Sequence, residues 1–289
     1  MNGFMLFCAT AGVFAQNIFM KGYTRGKKTD IFTAVYYNLL LSAGALTVYA
    51  AVQAVKGAVF AVHTPTFVYA AVFSLCFTAS IVFSTLALAH GPMSVSVLLI
   101  EYSLVIPTLF GVIFCNERPG VCAVFGLAFL VASLFLTTYG TNGEKGKNNY
   151  LYIFLAFIGN GMCSVIQKLH QFNYPGLYRT ELLECSALGV ILLSAVLLSA
   201  FALFGRKTAV SFGGTVRYAF PSGLCNGMVN YFVVILVGTM ESSVIFPVIT
   251  AGGIVLTFAV SQIFYREKLL FGQYIGYVLG ILSVIMLNL

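Results

Sequence analysis

Polar residues in this chain come in short clusters, separated by almost wholly apolar stretches. The stretches run to about 18–25 residues, enough to carry a helix across a hydrocarbon core of roughly 30 Å. They predict spans at 3–20, 31–55, 66–89, 92–114, 119–139, 150–167, 182–205, 217–238, 242–264 and 269–288. Barrel strands would alternate apolar and polar positions over about 9–11 residues, and no such alternation occurs. The expected fold class is therefore an all-α polytopic membrane protein of ten transmembrane helices. The clusters between spans act as punctuation: KGYTRGKKTD at 21–30, HGP at 90–92 and TNGEKGKNN at 141–149. The last is polar and rich in Gly and Asn, the composition of a linker. It divides the chain into a five-helix unit at 1–140, a linker at 141–149 and a second five-helix unit at 150–289.

The two units repeat one another. At an offset of 150, Ile113, Phe114, Glu117 and Gly126 fall on Ile263, Phe264, Glu267 and Gly276, and Arg118 falls on Lys268. At an offset of 147, Gly12 falls on Gly159, and Lys21 on Lys168, each lysine closing the first span of its unit. An odd number of spans per unit sets the second upside down relative to the first. The result is an inverted repeat around a central cavity, the arrangement that lets a transporter face either side in turn. IFCNERPG (113–120) and IFYREKLL (263–270) then read as tight turns at opposite membrane surfaces, where charge costs little and caps the flanking helices.

Composition narrows the picture. The chain is 60% hydrophobic and only 8% charged, with a mean hydropathy of +0.97, where a soluble domain carries roughly 25% charged residues. The net charge of +7 does not point to nucleic acid, because the basic residues lie mostly in turns. Eleven of them fall on one side of the expected topology and four on the other. By the positive-inside rule this places both termini outside the cytoplasm of a multi-pass plasma-membrane protein. The opening MNGFMLFCATAGVF lacks a basic leader and reads as a retained first helix. Seven cysteines, nearly all within apolar runs and without CxxC or Cys/His spacing, read as small buried apolar residues. No metal and no cofactor are expected.

Ten spans in two halves, each with a Glu-basic turn before a Gly-containing last helix, resemble the drug/metabolite transporter superfamily, and within it the EamA-like ten-helix exporters. The segments that carry the likeness are ALAHGPMSVSVLLIEYSLVIPTLFGVIFCNERPGVCAVFGLAFLVASL (87–134) and VGTMESSVIFPVITAGGIVLTFAVSQIFYREKLLFGQYIGYVLGILSV (237–284). The resemblance implies a cavity between the halves, export of a small organic solute, coupling to protons or exchange, and cytoplasmic termini. The charge count departs from it on this last point.

Glu101 is the most informative residue. It lies near the middle of the fourth span, where a charged side chain costs on the order of 2.5–3.5 kcal/mol, and no basic residue lies at mid-depth in any predicted span. Its charge must be answered by a proton or by a cationic ligand, or else the carboxyl is a structural hydrogen-bonding group. Ser94, Glu101 and Thr108 share one face at intervals of seven. Pro107 frees a backbone carbonyl nearby. Polar stripes on other spans are expected to converge with Glu101: Gln16 and Asn17 on the first, Asn160, Ser164 and Gln167 on the sixth, and Ser222, Asn226 and Asn230 on the eighth. Asn38 and Ser42, and Thr250, Thr257 and Ser261, form further stripes, each equally suited to packing. Tyr102, with Tyr36 or Tyr37, would offer a ring face to a cation. Gly272, Gly276 and Gly280 form consecutive GxxxG steps for close helix contact, within the molecule or between two copies. Glu181 and Glu184 are expected to pair with Arg179.

The expected function is secondary active transport by alternating access, with the lipid bilayer, a small-molecule substrate and protons as partners, in a monomer or homodimer. The competing readings are a channel or a non-transporting receptor or scaffold, and a membrane-embedded transferase. His63, His90 and His170 are scattered over different turns, Asp30 is the only aspartate, and no catalytic motif or P-loop occurs. The enzyme reading is thereby set aside.

Overall fold

The computed structural model of the protein describes residues 2–25, 29–57, 63–114, 121–138, 149–204, 211–240, 242–264 and 270–287. These form helices α1 (Asn2–Thr24), α2 (Ile31–Lys56), α3 (Thr64–His90), α4 (Met93–Glu101), α5 (Val105–Phe114), α6 (Val121–Thr138), α7 (Asn149–Asn173), α8 (Arg179–Leu203), α9 (Phe212–Leu236), α10 (Ser242–Ile263) and α11 (Phe271–Leu287), with a 3-10 turn at Tyr102–Leu104 between α4 and α5. No strand occurs among the described residues. Among the described residues, seven stretches are long and apolar enough to cross a membrane: α1, α2, α3, Met93–Phe114, α7, α8 and α9. They mark a membrane-embedded helical protein. The Glu117–Arg118 and Glu267–Lys268 turns and linker residues 141–148 lie outside the described residues.

Local chemistry sets the helix ends. Asp30 caps α2: its Oδ1 accepts from Thr33 N at 2.9 Å, and Thr33 Oγ1 accepts from Asp30 N at 2.9 Å. This reciprocal box satisfies two of the orphan amides at a helix start. Ser211 caps α9 by accepting from Gly214 N at 3.3 Å. At the far end of α3, Lys21 reaches over from α1 and donates through Nζ to the carbonyls of Leu88 and Gly91, both at 3.0 Å. A cation there answers the negative end of the helix as well as its free carbonyls.

Two expectations are corrected here. The sixth predicted span ends at 167, whereas α7 runs on to Asn173, so Lys168 is a buried residue inside a helix rather than its polar terminus. Its long methylene stem lets a lysine occupy such a place. Arg179 does not turn to Glu181 or Glu184; its Nε donates to Gln171 Oε1 at 2.8 Å.

Much of the helix packing runs between 1–140 and 150–289. α1 lies on α9 and α10, and α7 on α3, α4 and α5. α2 packs on α8 and α9, α8 on α2 and α3, and α6 on α11. In a bilayer such contacts depend on close fit rather than on escape from water. Gly223 of α9 shows it: a Cβ there would meet the Gly44 Cα at 3.0 Å and Leu41 backbone still more closely. The glycine stripe of α11 is likewise spent inside the molecule. A Cβ at Gly272 would lie 3.7 Å from Leu136 O, Gly276 O accepts from Ser133 of α6, and a Cβ at Gly280 would meet Ser133 Oγ at 3.0 Å. Outward faces carry large apolar side chains such as Phe7, Val68, Leu192 and Val196.

Candidate functional site

Where α1, α3, α7, α9, α10 and the α4–α5 break come together, they enclose a cavity of about 140 Å³. One water needs roughly 10–15 Å³ by the same measure, so several waters or a small organic solute fit. Its walls are mixed. Phe77, Ile81, Val229 and Phe246 supply apolar surface, and a dense set of side-chain amides and hydroxyls supplies the rest.

Nine of the predicted residues line it: Gln16 and Asn17 from α1, Glu101 from α4, Asn160, Ser164 and Gln167 from α7, Asn226 and Asn230 from α9, and Thr250 from α10. Three of the amides, with Gln16, form a ladder across helices. Gln167 Nε2 donates to Asn230 Oδ1 at 2.8 Å, Asn230 Nδ2 to Asn226 Oδ1 at 3.0 Å, and Asn226 Nδ2 to Gln16 Oε1 at 3.0 Å. Each amide that gives a proton to the next is polarised by the one before it. On the other wall Asn160 Nδ2 donates to Ser103 Oγ at 2.8 Å. Asn17 is the polar neighbour of the Glu101 carboxyl. Among the lining residues Glu101 alone bears a formal charge, and no lysine, arginine or histidine joins it.

Ser94, Tyr102 and Thr108 do not line the cavity. Thr108 bonds back to Leu104 O at 2.8 Å, and Ser94 is buried among other helices. Tyr102 is fully buried and bonds to Ser133 of α6, so its ring offers no face to a ligand in the cavity. For Thr108, which follows it, the 3-10 turn after Glu101 is the cause; Ser94 precedes the turn on α4. A stripe at intervals of seven needs an uninterrupted α-helix, and three residues of tighter winding rotate the next helix, α5, out of register. Ser103 takes the place expected of Tyr102. Tyr37 is also buried away from the cavity, its ring 4.7 Å from that of Tyr23.

The α2 stripe is packing. Asn38 Nδ2 donates to Ser194 Oγ of α8 at 3.1 Å. Thr250 reaches the cavity; Thr257 and Ser261 do not, and Ser261 bonds to Phe258 O of its own helix at 2.8 Å. Ser80 and Ser84 of α3, absent from the predicted stripes, line the cavity too. Their spacing of four was the available signal, hidden in a helix crowded with Ser and Thr at other phases. The described residues hold no group of three or more His, Cys, Asp or Glu side chains suited to a metal.

Comparison with known proteins places the fold only. No family model matches the chain, and no curated protein matches it. A solved structure described simply as "Crystal structure of protein" is similar over 99% of this chain and 98% of its own, with a TM-score of 0.69 at 13% identity. Nearly end-to-end superposition at so low an identity establishes a shared helical architecture.

Proposed function

We propose that this protein is a secondary transporter of the EamA-like kind, and that it exchanges a small organic monocation for a proton at Glu101. The observation that carries the reading is one acidic side chain, with no basic partner among the described lining residues, in an amide-lined cavity. A carboxylate in such a place needs a positive partner, and either a proton or an ammonium group serves. A substrate carboxylate would find no cation in these walls, which disfavours zwitterions and anions. The amide ladder and Asn17 supply hydrogen bonds that orient a polar cation rather than a purely lipophilic one.

Alternating access follows from an inverted repeat of five and five helices, and the packing supports that repeat. Relating α1–α3 to α7–α9, α4–α5 to α10, and α6 to α11 maps contact onto contact. α1 on α9 corresponds to α7 on α3, α2 on α9 to α8 on α3, and α1 on α10 to α7 on α4–α5. Residues obey the same rule. A Cβ on Gly12 would sit 3.3 Å from Cys225 O, and one on Gly159 would sit 2.7 Å from Cys76 O. Gly12 and Gly159 are the pair that the repeat aligns, and Cys76 and Cys225 occupy matching places in α3 and α9.

Proton release from purified protein, measured as amines, amino acids and nucleosides are added, tests the proposal. Release on adding an amine, lost in Glu101→Gln, is the expected result. Binding of a solute with no release, unchanged in Glu101→Gln, would return Glu101 to a structural role.

A further inference from the structure

Beyond Gln167, one helical turn farther along α7, the two halves are joined by a chain of polar side chains that takes no part in the cavity. His63 precedes α3; His170 and Gln171 lie near the end of α7; Arg179 opens α8. Arg179 Nε lies 2.8 Å from Gln171 Oε1, and Gly176 N donates to the same oxygen at 3.3 Å. Gln171 Nε2 lies 3.0 Å from His170 Nδ1, His170 Nε2 lies 3.1 Å from Thr66 Oγ1, and Thr66 Oγ1 lies 3.2 Å from His63 Nδ1.

The proton positions in this chain are set by its two ends. An arginine and a backbone amide can only donate, so the Gln171 oxygen faces them and its NH2 faces His170. An amide NH2 can only donate, so His170 Nδ1 accepts and its proton sits on Nε2. Thr66 Oγ1 accepts that proton and gives its own to His63 Nδ1. Both histidines are thereby fixed as neutral Nε2–H tautomers, within a chain running one way from the second half into the first.

Rings reinforce the join. The His63 imidazole stacks on Tyr178 with centroids 4.4 Å apart and planes 3° from parallel, and Tyr174 meets His63 edge-on at 4.9 Å. Asn173 Nδ2 donates to Tyr69 OH at 2.7 Å. Tyr178 holds a left-handed backbone, φ 51°, a conformation that costs a non-glycine residue on the order of 1 kcal/mol or more and persists only where its surroundings compel it.

We infer that this relay is a proton-sensitive latch closing one end of the cavity, an inference that rests on reading the cavity as open to alternate faces. A proton added to His170 must go on Nδ1, where it points at the Gln171 NH2 and ends the chain. The groups around it give such a charge no welcome. Tyr69 and Tyr174 lie against the ring, His63 stands across Thr66, Arg179 stands behind Gln171, and Lys56 lies 5.2 Å over the Tyr231 ring of α9 beyond. Glu181 and Glu184 sit on α8, and neither bonds to the relay among the described residues. Protonation therefore sets a cation beside an arginine and a second histidine, and separates the start of α3 from the end of α7 and the start of α8.

Three readouts on the full-length protein test the latch, and none depends on solute binding at Glu101. Nitrogen-15 NMR of labelled histidines reads tautomers directly. His63 and His170 should appear as Nε2–H at neutral pH, while His90, whose Nδ1 lies 2.8 Å from the Leu86 carbonyl, should appear as Nδ1–H. Hydrogen exchange of segments 63–69 and 171–182, corrected for intrinsic pH dependence, should lose protection on the order of tenfold as His170 gains its proton. Thr66→Val, which removes the central hydroxyl at nearly constant volume, should expose Cys163 of the cavity wall to faster alkylation than wild type at the same pH. Nδ1–H tautomers at His63 and His170, a His170 that never protonates down to pH 4, or protection unchanged while it does, would each overturn the latch. So would Cys163 reactivity equal to wild type in a folded Thr66→Val protein. Should that variant fail to fold, the wild-type spectra and exchange decide the matter.

Discussion

Among the described residues Glu101 meets no basic side chain in the cavity wall, and the proposed function turns on this fact. On the proposed function, a proton and a cation compete for one carboxylate. Cation binding should therefore weaken as pH falls, approaching tenfold per pH unit once the carboxyl is mostly protonated, and Glu101→Gln should flatten that dependence. Isothermal titration of a responding amine at several pH values checks the slope; an affinity that does not move with pH in wild type would sink competition. Asn226 acts differently, as the middle rung of the ladder. Asn226→Leu removes its bonds to Gln16 and Asn230. Interhelical hydrogen bonds in membranes are worth about 0.6 kcal/mol each, so detergent-solubilised protein should stay folded with stability lowered by about 1 kcal/mol. Solute affinity should drop on the order of tenfold, because Gln16 and Asn230 lose the partner that orients them. A variant that binds as wild type does would show the ladder to be packing alone.

Among the elements, α9 makes the closest approach to its neighbours and is the least forgiving. Gly223→Ala forces a methyl group against the α2 backbone near Leu41 and Gly44, and overpacking of this kind costs about 1–3 kcal/mol. Gly213→Ala, on the same helix, meets nothing within 4 Å and should leave thermal unfolding in detergent unchanged. Equal midpoints for the two variants would contradict the packing described. The elements were also the most legible part of the sequence. Uninterrupted apolar runs left little choice of structure, because a backbone in lipid must satisfy its own hydrogen bonds, and among the described residues seven of the predicted spans fall on helical stretches long and apolar enough to cross a membrane. Breaks inside a run were not legible. YSL at 102–104 is as apolar as its neighbours, yet its tighter winding carries Tyr102 and Thr108 away from the site and brings Ser103 into it. Lys168 misled in the opposite sense, since a lysine at the edge of an apolar run reads as a helix end until packing is seen to bury it. Amide stripes on α1, α7 and α9 read as polar faces, and they line one cavity. That they bond to one another was beyond the sequence, which fixes phase along each helix but not which faces meet.

At the scale of the whole molecule, the two halves touch across almost every helix, so movement of one against the other has to break particular contacts. The histidine relay is the set at one end. At the other, Lys21 binds α1 to the end of α3 within the first half, so that half should move as a unit. Lys21→Met, which keeps the stem and removes the donor, should loosen the end of α3 while leaving the relay intact. Hydrogen exchange around 86–91 should rise several-fold with no change at 171–182; a rise at both ends would mean the bundle had softened throughout.

The lone carboxylate of the cavity has a further consequence, electrical rather than chemical. A site that carries either one proton or one monovalent cation crosses the bilayer with the same net charge in both directions. A transmembrane potential does about 2.3 kcal/mol of work per elementary charge per 100 mV, and on a balanced exchange that work cancels. Such a carrier would be driven by the pH difference alone and would pass no net current. Proteoliposomes clamped at different voltages with the same pH gradient should therefore move solute at one rate, and a cell whose membrane had lost its voltage but kept its proton gradient would keep this activity.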